Sequence, residues 1–158
     1  MTEPPEDAGV RLASRADAPE VARLLHDFNA EFEEETPGPA VLTERLAPLL
    51  ASGEVVVLLA GSGPDGFAQL RFRPSVVREG LDAYLEELYV APALRGHGLG
   101  RALLEAAMEE SRRQGATRIE LGTSEDDTAA RALYESTGFT NREGAPDGPI
   151  MYFYERDL

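Results

Sequence analysis

The chain contains no lysine. All 15 basic residues among its 158 are arginine, set against 29 Asp and Glu, for a formal charge of −14. GC-rich codon usage accounts for that preference, and a nucleoside-triphosphate P-loop, which needs a lysine at the phosphates, is excluded. Cysteine is absent too, which removes disulfides, thiolate metal sites, iron–sulfur clusters and a cysteine nucleophile. No run of about 18 apolar residues occurs, and Met1 to Gly9 is acidic and polar, so neither a membrane span nor a secretory signal is expected. The acidic balance argues against nucleic-acid binding, which needs clustered basic side chains to neutralise phosphates. A reducing compartment is compatible with all this, and the cytoplasm is the expected location.

What is present suits one globular domain over 1–158, with residues 1–9 read as flexible. Hydrophobic residues make up 42% and charged residues 28%, a balance that opposes wholesale disorder. Val10 to Ala13 reads as a short strand. Asp17-Ala18-Pro19-Glu20 reads as a helix start, with Asp17 as N-cap and Glu20 as its capping-box partner. Val21, Leu24, Leu25 and Phe28 follow at helical spacing and should face a core. Glu31 to Pro39 reads as a loop, and Leu42 to Leu50 as a second helix weakened by Pro48. Val55–Leu59 and Phe67–Phe72 suggest a hairpin across the turn cluster at Gly61 to Gly66, and Tyr84–Val90 a third strand. A long helix from Leu99 to Gln114, a strand at Arg118–Leu121, a helix at Thr128–Ser136 and a last strand at Ile150–Tyr154 complete an α+β reading.

The most informative stretch is Val90-Ala91-Pro92-Ala93-Leu94-Arg95-Gly96-His97-Gly98-Leu99-Gly100-Arg101. Glycines at alternate positions follow a strand and open a helix, so several backbone N–H groups and the helix N-terminus can face an anion. Arg95 and Arg101 bracket the loop and can add charge-assisted contacts, so a phosphate or pyrophosphate is the expected ligand. A plain chain-reversing turn is the bland alternative. A dinucleotide-binding fold would put its ribose-binding acid near Glu120, but the third glycine comes one residue early for Gly-x-Gly-x-x-Gly.

These residues resemble the GNAT N-acetyltransferases. Arg95-Gly96-His97-Gly98-Leu99-Gly100 matches the family's Gln/Arg-x-x-Gly-x-Gly/Ala motif and follows Val90-Ala91-Pro92. Asp127, Ala130, Leu133-Tyr134 and Gly138-Phe139 resemble the second motif, Asn-x-x-Ala-x-x-Leu-Tyr-x-x-x-Gly-Phe. The resemblance implies a mixed, mostly antiparallel central sheet whose parallel strands four and five splay apart, flanked by about four helices. It implies acetyl-CoA as donor, lying in that gap against Leu88, Tyr89 and Val90, the loop Arg95, Gly96, His97, Gly98, Leu99, Gly100 and Arg101, and Asp127. Asp127 stands where asparagine is commoner. A carboxylate there can cap a helix but cannot donate an amide hydrogen bond.

The implied chemistry is direct attack of a primary amine on acetyl-CoA in a ternary complex. Tyr134 stands where the family often places its general acid. Glu86 is the candidate base, since it matches a glutamate that faces the acceptor in spermidine/spermine acetyltransferases. Strand alternation would send Glu86 and Glu87 to opposite faces, with Glu86 beside Leu88 and Val90. The fifth-strand glutamate of some family members is replaced by Gly122. The acidic run Glu31-Phe32-Glu33-Glu34-Glu35 is either a solvated charge cluster or an attractor for a small cationic acceptor, with Glu31 and Glu34 as its binding residues. His26 and His97 have no metal-ligand spacing, so no metal is expected. A non-catalytic acyl-CoA-binding regulatory module and a protein or peptide N-acetyltransferase are the alternatives, and the family's habits allow a homodimer. Any lysine acceptor must belong to another molecule.

Overall fold

The computed structural model of the chain describes residues 9–158. The flexible stretch expected at 1–9 lies, Gly9 apart, outside the described residues. Contacts divide the chain into one unit ending at Leu121 and a second comprising Gly122–Leu158.

The first unit is a five-stranded sheet in the order β1-β2-β3-β4-β5, with three helices. The strands are β1 (Arg11–Leu12), β2 (Val56–Ala60), β3 (Gly66–Pro74), β4 (Leu81–Val90) and β5 (Ala116–Leu121). The first four pair antiparallel, and β4 pairs parallel with β5. The helices are α1 (Ala18–Glu31), α2 (Pro39–Ser52) and α3 (Leu99–Arg113). This is the mixed α+β sheet that the sequence implied.

Val21 and Leu24 on α1 are buried with Leu46 of α2 against Val55, Val57, Leu59, Phe67 and Tyr89, while Leu25 and Phe28 flank them half-buried. Burial of each Val or Leu side chain contributes about 1.5–3 kcal/mol, which is why the helical stripe predicts this face well. Alternation leaves Leu58, Ala60, Ala68 and Leu70 for the opposite face, where α3 brings Leu103, Leu104 and Ala107.

Several boundaries differ from expectation for local reasons. Asp17 does not cap α1 through its side chain. Its carboxylate instead accepts from the Ser14 N–H (2.8 Å) and holds Arg11 with two hydrogen bonds (2.9 and 3.0 Å), while Glu20 pairs with Arg23. Arg11, on β1, outcompetes the local cap. α2 begins earlier, at Pro39, whose fixed φ suits a first helical position, and it runs through Pro48 to end at Gly53 (φ 78°).

The second unit carries α4 (Thr128–Ser136), closed by Gly138 at φ 99°. The strand expected at Ile150–Tyr154 is not formed. Only Ile150 makes a bridge, antiparallel with Arg142, and Tyr152, Phe153 and Tyr154 are exposed. Alternation marks a chain able to join a sheet, but a strand also needs a partner backbone, and this segment pairs at one position only.

Candidate functional site

The β4–β5 ladder stops at Leu85↔Leu121, while β4 continues to Val90 along β3. The β4 edge beyond Leu85 therefore faces no strand of the first unit. Ala91 N donates to Asp65 O (2.8 Å), which makes Phe67↔Tyr89 the next hydrogen-bonded pair. Leu88 and Val90 accordingly direct their N–H groups to the open edge, whereas Tyr89 is tied to β3. The Tyr89 ring is buried, with centroids 5.1 Å from Phe28 and 6.3 Å from Phe67. Of the three expected strand contacts, Leu88 and Val90 can offer backbone donors to a ligand.

Beyond Val90, a single helical turn (Pro92–Leu94) leads into the glycine loop, and α3 starts at Leu99. Gly96 and Gly98 both have φ 82°, and a Cβ built on either meets nothing within 4 Å. These glycines are required by backbone conformation, and they leave an open cradle in front of the first-turn N–H groups of Leu99, Gly100 and Arg101. Such a cradle fits an anionic pyrophosphate. His97 and Arg101 are exposed on it.

Arg95 behaves differently from a phosphate-binding bracket. Its Nη1 and Nη2 each lie 2.6 Å from a carboxylate oxygen of Glu31, its Nε donates to Val90 O (2.9 Å), and its guanidinium sits 5.7 Å from the Tyr89 ring centre. The guanidinium thus fastens the end of α1 to the end of β4, and the Arg95 backbone N–H is donated to Pro92 O. Glu31 has both oxygens engaged, and Arg95 holds its carboxyl below the usual carboxylate range. Glu34 remains exposed in the same segment, and Glu33 adopts a left-handed conformation (φ 58°).

The structure corrects the expected alternation at the acidic pair. Gln69 pairs with Glu87 but Leu70 pairs with Leu85, so Glu86 is the extra residue of a β-bulge. Its Oε2 accepts from Gln69 Nε2 (2.8 Å) and Arg71 Nε (2.7 Å), both on the Phe67 face of β3. Glu86 therefore lies on the same face as Glu87 and Tyr89, not with Leu88 and Val90. Burial, reinforced by the neighbouring Glu86 charge, pushes the Glu87 carboxyl up to about 7. Alternation favours Glu86 over Glu87, and no pattern in the sequence singles out Gln69 or Arg71. The adjacent glutamates were visible, but one inserted residue leaves no mark in the hydrophobic pattern.

In the second unit, Asp127 caps α4 by accepting from Ala130 N (3.1 Å), as expected. Tyr134 is half-buried on α4 with its ring 5.9 Å from that of Phe139. His26 on α1 is bound to the Thr36 hydroxyl (2.6 Å). Among the described residues no group of three or more His, Asp or Glu could hold a metal ion, and no helix is long and apolar enough to cross a membrane.

A parallel pair that parts after Leu85, a glycine cradle opening α3, and a strand edge with outward-facing Leu88 and Val90 N–H groups are the marks of an acyl-CoA-dependent transferase fold. Residues 20–139 match the Acetyltransferase (GNAT) family, and the chain belongs to it. That family draws its acetyl group from acetyl-CoA. A crystal structure of a proposed acetyltransferase from Arthrobacter sp. FB24 superposes with a TM-score of 0.89 at 47% identity, covering 99% of this chain and 100% of that one. The aminoglycoside N(6')-acetyltransferase type 1 of Stenotrophomonas maltophilia is 33% identical over 91% of this chain and 90% of its own length. A mycothiol acetyltransferase of Beutenbergia cavernae is 45% identical, but the match spans 37% of this chain and 21% of that protein.

Proposed function

We propose that the protein is an N-acetyltransferase that moves an acetyl group from acetyl-CoA to a primary amine on a small cationic acceptor, by direct attack in a ternary complex. The observation that carries this reading is the Glu86–Glu87 bulge. It sets a carboxylate held in place by Arg71 beside a carboxyl that gains and loses its proton near neutrality. An amine acceptor arrives as an ammonium ion and must lose a proton before it attacks. Glu87, with its value of about 7, is the suited proton acceptor, and Glu86 is the fixed negative charge that attracts the ammonium. Glu86 was the sequence-based choice of base, but its Oε2 already accepts two hydrogen bonds.

Acetyl-CoA supplies the acyl group and a thiol leaving group. The N–H groups of Leu88 and Val90 would stabilise charge on the thioester oxygen, and the Gly96 to Arg101 backbone would hold the pyrophosphate. Tyr134 is the proposed donor to the departing thiolate, its phenol O–H supplying the proton. A cationic acceptor is supported by the relative named for aminoglycosides, which are polyamines, and by the exposed Glu34.

A panel of primary amines, incubated with acetyl-CoA and followed by CoA release and product mass, tests the proposal. Acetylated product from cationic amines is the expected result. Protection by CoA against thermal unfolding without turnover of any amine would favour a binding module instead.

A further inference from the structure

Among the described residues, Gln69 carries the buried side-chain polar atom that the fold leaves unpaired. It is only 5% exposed, and its Oε1 has no hydrogen-bond partner. The amide orientation is fixed chemically. Glu86 Oε2 also accepts from the Arg71 guanidinium, so it is an ionised acceptor, and only the NH₂ of Gln69 can face it. The carbonyl oxygen must then point away from Glu86, within the bulge where Gln69 is the cross-strand partner of Glu87. A buried acceptor with no donor is costly, and a ligand that supplies an N–H restores the missing bond. The cluster opens to solvent at Glu86, whose side chain is 29% exposed, and at Arg71, which is 44% exposed.

The local chemistry specifies the ligand. The Glu86 and Glu87 carboxyl groups and the Gln69 amide lie on one face of the β3–β4 pair. Arg71, the one cation in the group, has its Nε bonded to Glu86. Such a set favours a donor-only, positively charged head, and disfavours carboxylates and phosphates. A primary ammonium carries three N–H donors and suits acceptors on one face of two paired strands. A fully methylated nitrogen carries none.

We propose that Gln69 is a specificity-determining residue of the acceptor site, with its Oε1 accepting an N–H from the nitrogen that is to be acetylated. The inference rests on the acetyl-transfer reading and adds to it a residue on β3. Through Oε1, Gln69 selects amines that still bear hydrogens, and through Nε2 it keeps Glu86 aligned beside Glu87.

The test compares wild type with Gln69→Met, which keeps the length and volume of the side chain and removes both polar atoms. The probes are the best primary amine from the acetyl-CoA panel and its trimethylammonium analogue as a competitive inhibitor. In wild type the primary amine should bind tenfold or more better than its methylated analogue, on the scale of one hydrogen bond to a charged group. In Gln69→Met that preference should fall about tenfold, while the KM for acetyl-CoA and the thermal protection by CoA stay unchanged.

An unchanged preference in folded Gln69→Met, or a change confined to the pH profile, would overturn the role of Gln69 and leave acetyl transfer standing. Failure of wild type to acetylate any amine would overturn both. Should Gln69→Met not fold, Gln69→Glu, which keeps an acceptor oxygen and loses the donor, must retain the wild-type preference, and its loss there contradicts the proposal.

Discussion

Partial burial beside the Glu86 charge pushes the Glu87 carboxyl up to about 7, and this has consequences for stability. Its ordinary value is 4.5, so between these two values the folded chain holds a proton that the unfolded chain has lost. Stability should therefore fall as pH rises from about 4.5 to about 7 and level off above that. Glu87→Gln should remove this slope, measurable as denaturation midpoints across the range. If Glu87 is the base, the same variant should lower kcat by about 10²- to 10⁴-fold and abolish the rise in rate near pH 7. Asp17 has the opposite sign. Arg11 and the Ser14 N–H hold its carboxyl well below the usual range, so its contribution is present above its ordinary value of 3.8 and is lost as acid protonates it. Tyr134→Phe tests the acid separately. With the fold intact, turnover should drop most at high pH, and an unchanged rate across pH would discard that role.

At the scale of elements, the cradle depends on backbone conformation. Gly98→Ala places a Cβ on a residue at φ 82°, which costs about 1–2 kcal/mol and should lower both the melting temperature and the affinity for CoA. The Glu31–Arg95 pair joins the end of α1 to the same loop. Both side chains are partly exposed, at 31% and 46%, so a double-mutant cycle should return a coupling of no more than about 1 kcal/mol, weakening with salt. The helices and most strands were legible in the sequence because burial imposes a period: Val21 and Leu24 on α1, and the alternating run from Phe67 on β3, show it directly. The bulge at Glu86 was not, because it changes the facing of side chains without changing the apolar pattern around them. The strand expected at Ile150–Tyr154 failed for a related reason, since its alternation carries no information about a partner. In the site, the glycine loop and Asp127 could be placed from spacing and local capping. The engagement of Arg95 by Glu31 joins residues far apart in sequence, and no local pattern records it.

Across the whole molecule, a charge of −14 coexists with a glycine cradle at a helix N-terminus that fits an anion. The two are compatible because backbone N–H groups and a helix terminus act within a few ångströms, whereas net charge acts over about a Debye length. On the proposed reading, the acidic excess acts on the approach of the amine. For a polycationic amine, KM should rise with ionic strength, while KM for a singly charged amine should change less, and equal responses would contradict electrostatic attraction. The family match from residue 20 to 139 runs through both units, so donor and acceptor chemistry are to be sought in the intact chain. The most direct measurement is acetyl transfer itself: purified protein, acetyl-CoA and a panel of primary amines, read as CoA release together with the mass of the product. The account predicts acetylated cationic amine in one-to-one yield with released CoA. CoA binding with no acetylated product from any amine would contradict it.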